Sequence, residues 1–374
     1  MRPSELPRPD PDALAASRAL LERIAAELAA HGNWMSFARY MEMALHEPGL
    51  GYYSGGSAKL GAGGDFVTAP ELSPLFARTL ARQVAELLGP GDSLLEFGAG
   101  SGALAEGLLE TLSCPYLILE TSPSLRARQQ ERLGTSVHWI ERLPEHFRGV
   151  MLANEVADAI PVHALVWTHS AITERGVCAN EGELAWCERP AQGEVLAAAR
   201  AIDVAIPPSG RYESEIGLAA RAWVRTLAAS LERGALVVID YGFPEREYYH
   251  PQRSMGTLMC HYRHRAHGDP FYLPGLQDIT AHVNISALAR AAGKSGLEVL
   301  GYASQAQFLV NCGIAELLAE EDPADAARYA PLAAAANQML SPAEMGEMFK
   351  VLVVGKGVAG PLIGFSSGDR SHAL

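Results

Sequence analysis

Five short, nearly continuous apolar runs separated by helical stretches constrain this chain more than any other feature. They are 94–97, 116–119, 137–140, 150–153 and 235–239. Runs of this kind, without polar alternation, are what strands covered on both faces require. Strands that alternate with helices predict an α/β protein built on a doubly wound, mostly parallel sheet.

Upstream, Leu14, Leu21, Ile24 and Leu28 fall at helical spacing within 12–31, and His31-Gly32-Asn33 ends that helix. A second helix is expected over 36–46, and another over 74–88. Between them lies EPGLGYYSGGSAKLGAGGDFVTAPELSP, a glycine-rich loop too long to be a simple connection, whose Tyr52, Tyr53, Phe66 and Thr68 imply that it folds against something. The chain is therefore divided into an N-terminal helical segment with this loop over 1–90 and a core over 91–374. Two large insertions, at roughly 155–215 and 241–283, interrupt the core. Within the first, 162–189 alternates and turns like an antiparallel unit. The second is rich in His, Tyr, Gly and Pro and has little periodicity. Beyond it, 285–292 reads as helix, 297–302 as strand, 312–340 as helices and 349–354 as a closing strand.

The 374 residues are 48% hydrophobic, with 36 Gly and 23 Pro, as in globular proteins. A net charge of −13 argues against a general nucleic-acid binder, which needs a basic face, and suits a cationic partner better. Cys114, Cys178, Cys187, Cys260 and Cys312 form no CxxC pair, so neither a disulfide framework nor a zinc site is expected. No run approaches the length of a membrane span, and a cytoplasmic location is expected.

The sharpest local signal is LLEFGAGSGALAEGLL, where a strand ends at Phe97, Gly98, Gly100 and Gly102 follow, and a helical pattern begins. Glycines there let backbone approach a ligand closely. Gly98, Gly100 and Ala103 also satisfy the dinucleotide form G-x-G-x-x-G/A, so an NAD-linked oxidoreductase stays open at this point. Glu120 ends the next strand, 18 positions after Gly102, where a carboxylate can accept both hydroxyls of a ribose. Glu96, just before the glycine loop, favours S-adenosylmethionine: it suits an amino group or its water and repels a pyrophosphate.

ANEVADAIPVH follows the fourth strand and puts Asn154, Glu155 and Asp158 at the carboxyl edge of the sheet, where ligands of open α/β sheets bind. Asn154 could orient a nucleophile, and Glu155 could pair with a guanidinium in bidentate fashion. Capping by Asn154 and two solvated acids is the alternative. Methyl transfer needs positioning and desolvation rather than a covalent nucleophile, and no Ser-His-Asp or Cys-His arrangement is evident. His261, His264, His267, Asp278 and His282 invite a metal reading, but three-residue steps in a loop-like stretch give no zinc geometry, and no metal is expected.

These residues resemble the MidA-like S-adenosylmethionine-dependent methyltransferases along nearly the whole chain. The shared motifs are GYYSGG and GDFVTAPELSPLF, the glycine loop, ANEVADAIPVH, VVIDYG, GTLMCHYRH, DITAHV and MGEMFKVL. The resemblance implies a Rossmann-like seven-stranded methyltransferase sheet with its last strand antiparallel, and makes Gly64, Asp65 and Thr68 cofactor-site candidates. Mitochondrial members are complex I assembly factors, for which the family implies symmetric dimethylation of an arginine. A protein substrate is implied here too, the corresponding NADH dehydrogenase subunit first among candidates. The family usually carries aromatic residues after Asn-Glu, where this chain has Val156 and Ala157, a departure that bears on the acceptor pocket alone. A non-enzymatic assembly factor is the competing expectation, since large insertions serve partners, a second copy in a homodimer included.

Overall fold

The computed structural model describes residues 6–55 and 68–374. The chain divides into two compact units. One comprises residues 67–157, 222–244 and 285–374; the other comprises residues 1–66, 158–221 and 245–284.

The first unit is built on the buried apolar runs. Its strands are β1 (Ser93–Phe97), β2 (Tyr116–Leu119), β3 (His138–Ile140), β4 (Phe147–Asn154), β5 (Leu231–Phe243), β6 (Glu298–Ser304) and β7 (Phe349–Lys356). Their spatial order is β3-β2-β1-β4-β5-β7-β6. All pairings from β3 to β5 are parallel, whereas β7 runs antiparallel to both β5 and β6. This is the Rossmann-like seven-stranded sheet with an antiparallel last strand. Strand order reverses between β1 and β4, because β1 continues to β2 on one side and β4 lies on the other.

Burial explains the near-absence of polar alternation: Leu94, Ile118, Val150, Leu152, Val237, Val351 and Val353 are all sealed in one core. The helix Pro74–Leu87 adds Leu75, Phe76, Leu80 and Val84 to it, and is capped by the Ser73 hydroxyl, which accepts from Leu75 N at 3.1 Å. It lies so close to the helix Ala103–Leu109 that a Cβ on Gly107 would sit 2.5 Å from Ala77 Cβ.

The second unit carries the helices Pro11–Ala30 and Phe37–His46, started by Asp10 and Ser36, whose side chains accept from Ala13 N and Arg39 N. Leu20, Ile24, Leu28, Phe37, Tyr40 and Met41 pack with Val177, Cys260 and Ile279 in a separate core. Its main sheet pairs Met35–Ser36, Ile172–Asn180, His163–Thr168 and Arg211–Ile216 in that order, with Glu183–Pro190 folded back as a hairpin on Ile172–Asn180. The segment with little periodicity also holds a small antiparallel sheet, of Arg265–His267, Met259–Tyr262 and Asp278–Thr280. Strands of three or four residues are too short to display a period of two, which is why no pattern is visible there. Among the described residues no helix is long and apolar enough to cross a membrane.

Ser93, Gly149 and Gly234 lie opposite one another on β1, β4 and β5. Gly149 has φ +130°, and a Cβ there would stand 1.9 Å from Ser93 O, a backbone atom that cannot step aside. Gly149→Ala is expected to destabilise the protein by roughly 3 kcal/mol, read as a lowered denaturation midpoint at unchanged slope; an unchanged midpoint would show that the sheet can open there.

Candidate functional site

The loops that leave β1 and β4 do so at the carboxyl edge of the sheet, beside the reversal in strand order, which is where a crevice opens in doubly wound folds. Gly98, Gly100 and Gly102 have φ of +58°, +56° and +84°. Side chains other than glycine rarely hold this region, so the loop exposes bare backbone where a ligand can lie against it. A Cβ on Gly98 would be in van der Waals contact with Val156 Cγ2 at 3.4 Å, so the loop after β1 and the turn after β4 are neighbours.

Glu120 follows β2 and is half-buried. Its Oε1 accepts from Ser122 N at 2.8 Å and its Oε2 from Gln129 Nε2 at 2.9 Å. A carboxylate has about four lone-pair sites, more than these two bonds use. Arg132 fastens the glycine loop from the same helix, donating to Ser101 Oγ at 3.2 Å while pairing with Glu106 at 2.9 Å.

Glu96 is 3% exposed and accepts from Tyr116 Oη at 2.7 Å. Burial pushes its carboxyl up to about 7, against the Tyr116 hydrogen bond and helped by the charge of Glu120. A group whose pKa is higher folded than unfolded retains its proton in the native state between the ordinary carboxylate range and about 7. Stability therefore falls as pH rises through that window and stays lowered above it.

Asn154, the last residue of β4, and Glu155 after it are half-buried. Glu155 has φ +54°, a left-handed conformation that a side chain of this size adopts only when its surroundings impose it. Its N–H donates to Ile239 O at 2.9 Å, and the next two N–H groups, of Val156 and Ala157, donate to Asp240 Oδ2 at 3.2 and 2.8 Å. Asp240, at the end of β5 and fully buried, thus holds the turn that presents Glu155. Asn154 Nδ2 donates to Glu155 Oε1 at 3.2 Å, while its own Oδ1 is buried with no partner among the described residues.

The sheet edge therefore gathers Glu96, Gly98, Gly100, Gly102, Glu120, Asn154 and Glu155 within one unit. Asp158 belongs to the other unit, where its carbonyl accepts from Ala281 N at 3.0 Å. Thr68 caps the short helix Ala69–Leu72 without a side-chain hydrogen bond, and that helix packs against Ala103–Leu109, which the glycine loop starts. Gly64 and Asp65 lie outside the described residues. In the histidine-rich segment, Asp278 accepts from Tyr53 Oη at 3.0 Å, and His267 Nδ1 accepts from Asp269 N at 3.3 Å. Asp240 and Gln129 are the residues the sequence reading missed. An acid closing the apolar run VVID is the same signal as Glu96 in LLEF and could have revealed the first; nothing in RQQER distinguishes the second.

A doubly wound sheet with left-handed glycines after β1 and a carboxylate, Glu120, after β2 has the framework of a nucleoside-binding fold. Residues 75–303 match the model of a family of S-adenosyl-L-methionine-dependent methyltransferases. The mitochondrial protein arginine methyltransferase NDUFAF7 of Danio rerio is 30% identical, over 90% of this chain and 87% of that protein. The Drosophila melanogaster homologue is 26% identical, over 97% of this chain and 92% of its own. A crystal structure of a Burkholderia thailandensis protein bound to S-adenosyl-homocysteine superposes with a TM-score of 0.94 at 50% identity, covering 99% of this chain and 100% of that one. The chain belongs to the S-adenosylmethionine-dependent methyltransferases, and S-adenosylmethionine rather than NAD is its cofactor.

Glu96→Gln is expected to leave the ligand-free melting temperature near that of the wild type at about pH 5 and to raise it by several degrees at about pH 8. The buried charge it removes costs roughly 3 kcal/mol, at about 1.4 kcal/mol per pKa unit. Thermal melts across that range check the sign; equal melting temperatures at the upper end would show that Glu96 ionises without penalty.

Proposed function

We propose that this methyltransferase acts on a protein arginine, with a subunit of NADH dehydrogenase as its acceptor. The observation that carries the reading is the turn after β4: Glu155 is held in a left-handed conformation by two backbone bonds to the buried Asp240, next to the glycine loop. Such strain costs on the order of 1–3 kcal/mol and persists where it sets a functional group in place.

Bound S-adenosylmethionine would supply an electrophilic methyl group, whose bond to the sulfonium sulfur breaks on transfer and leaves neutral S-adenosyl-homocysteine. Glu96, Glu120 and the left-handed glycines are the residues that would hold it. Glu155 pairs with the acceptor guanidinium, orients one nitrogen toward the methyl carbon and takes the proton that the nitrogen loses as its new N–C bond forms. Asn154 steadies that carboxylate through Nδ2 and keeps Oδ1 available to a substrate N–H. The names of the mitochondrial relatives, protein arginine methyltransferases, support arginine as the acceptor.

Incubation with radiolabelled S-adenosylmethionine and the purified subunit tests this. Glu155→Gln is expected to reduce kcat/KM by about a hundredfold, as loss of a positioned base does, with cofactor affinity within about twofold of wild type. Unchanged transfer removes Glu155 from the mechanism. Cofactor binding without label on any arginine would instead make the protein a non-enzymatic assembly factor.

A further inference from the structure

We propose that Gln129 is a positioning residue for the cofactor's ribose, locking the Glu120 carboxylate and the glycine loop into one arrangement; this rests on the reading of Glu120 as the ribose-binding group. Gln129 lies on the helix Pro123–Leu133, whose buried face consists of Leu125, Gln129 and Leu133 at successive four-residue steps. A leucine or methionine would fill the middle of that stripe at no polar cost. A fully buried amide there is expensive unless every bond it can make is made.

The bonds are made, and they converge on the cofactor edge. Gln129 Nε2 donates to Gly100 O at 3.0 Å and to Glu120 Oε2 at 2.9 Å, while Gln129 Oε1 accepts from Trp139 Nε1 at 3.0 Å. An indole N–H can only donate, so the amide oxygen must face Trp139, and both amide hydrogens are thereby turned toward the two acceptors. The Trp139 indole on β3 thus fixes the orientation of an amide that fixes the carboxylate after β2 and the loop after β1. With Oε1 of Glu120 held by Ser122 N, the carboxylate is pinned at both oxygens before any diol arrives, which lowers the ordering cost of binding.

Gln129→Met keeps the length and buried position of the side chain while removing all three bonds. Titration with S-adenosyl-homocysteine is made on the wild type, Gln129→Met, Glu120→Gln and the double variant. Each single change is expected to weaken binding about tenfold, and the double variant little more than either, because both remove one linked interaction. Trp139→Phe, which leaves Gln129 in place and frees its amide to turn, is expected to weaken binding severalfold and carries the test if Gln129→Met does not fold. Wild-type affinity in Gln129→Met, or effects that simply add, would overturn the proposal while leaving Glu120 its role. Wild-type affinity in Glu120→Gln would overturn the ribose reading and the proposal together.

Discussion

The parallel pairing of β1 with β4 is the contact on which the rest of the site depends. Because strand order reverses there, the loop leaving β1 and the turn leaving β4 open onto a common edge, and Gly98 comes within contact distance of Val156. The close approach of these strands is permitted by Gly149, whose backbone lies against Ser93 without a side chain between them. Two loops that share an edge can bring two bound reactants together, which is most of what methyl transfer asks of a protein.

Acidic groups end three of the strands, and each is held differently. Glu96 is sealed in the core with the Tyr116 hydroxyl as its hydrogen-bond partner among the described residues, so burial holds back its ionisation to about pH 7. Glu120 remains half-open, with an amide and a backbone N–H fixing its two oxygens. Asp240 is wholly buried and spends an oxygen on backbone N–H groups, which makes it a support for the neighbouring turn. The same residue type thus supplies a buried acid, a half-open carboxylate and a structural clamp, according to burial and partners.

The sheet was legible in the sequence because strands buried on both faces must be nearly continuously apolar: 116–119, 150–153 and 235–239 are apolar throughout, and 94–97 is broken only by Glu96. The glycine loop was legible because glycine adopts the left-handed backbone it uses at little cost, whereas other residues rarely do. Hidden from the sequence were features that exist only after distant segments meet. Gln129 looks like any surface residue of a charged helix until Gly100, Glu120 and Trp139 surround it. The assembly of residues 158–221 and 245–284 with the N-terminal segment into one unit is likewise a long-range matter that no local period records.

The central claim is that the left-handed glycine loop after β1 carries the cofactor. Isothermal titration of the wild type and of Gly100→Val with S-adenosylmethionine and S-adenosyl-homocysteine tests it most directly, with circular dichroism confirming that the variant is folded. The account predicts saturable binding of both ligands by the wild type and none by the folded variant, because a branched side chain at φ +56° must displace either the loop or the ligand. Undiminished affinity in Gly100→Val would contradict it and place the cofactor elsewhere on the sheet.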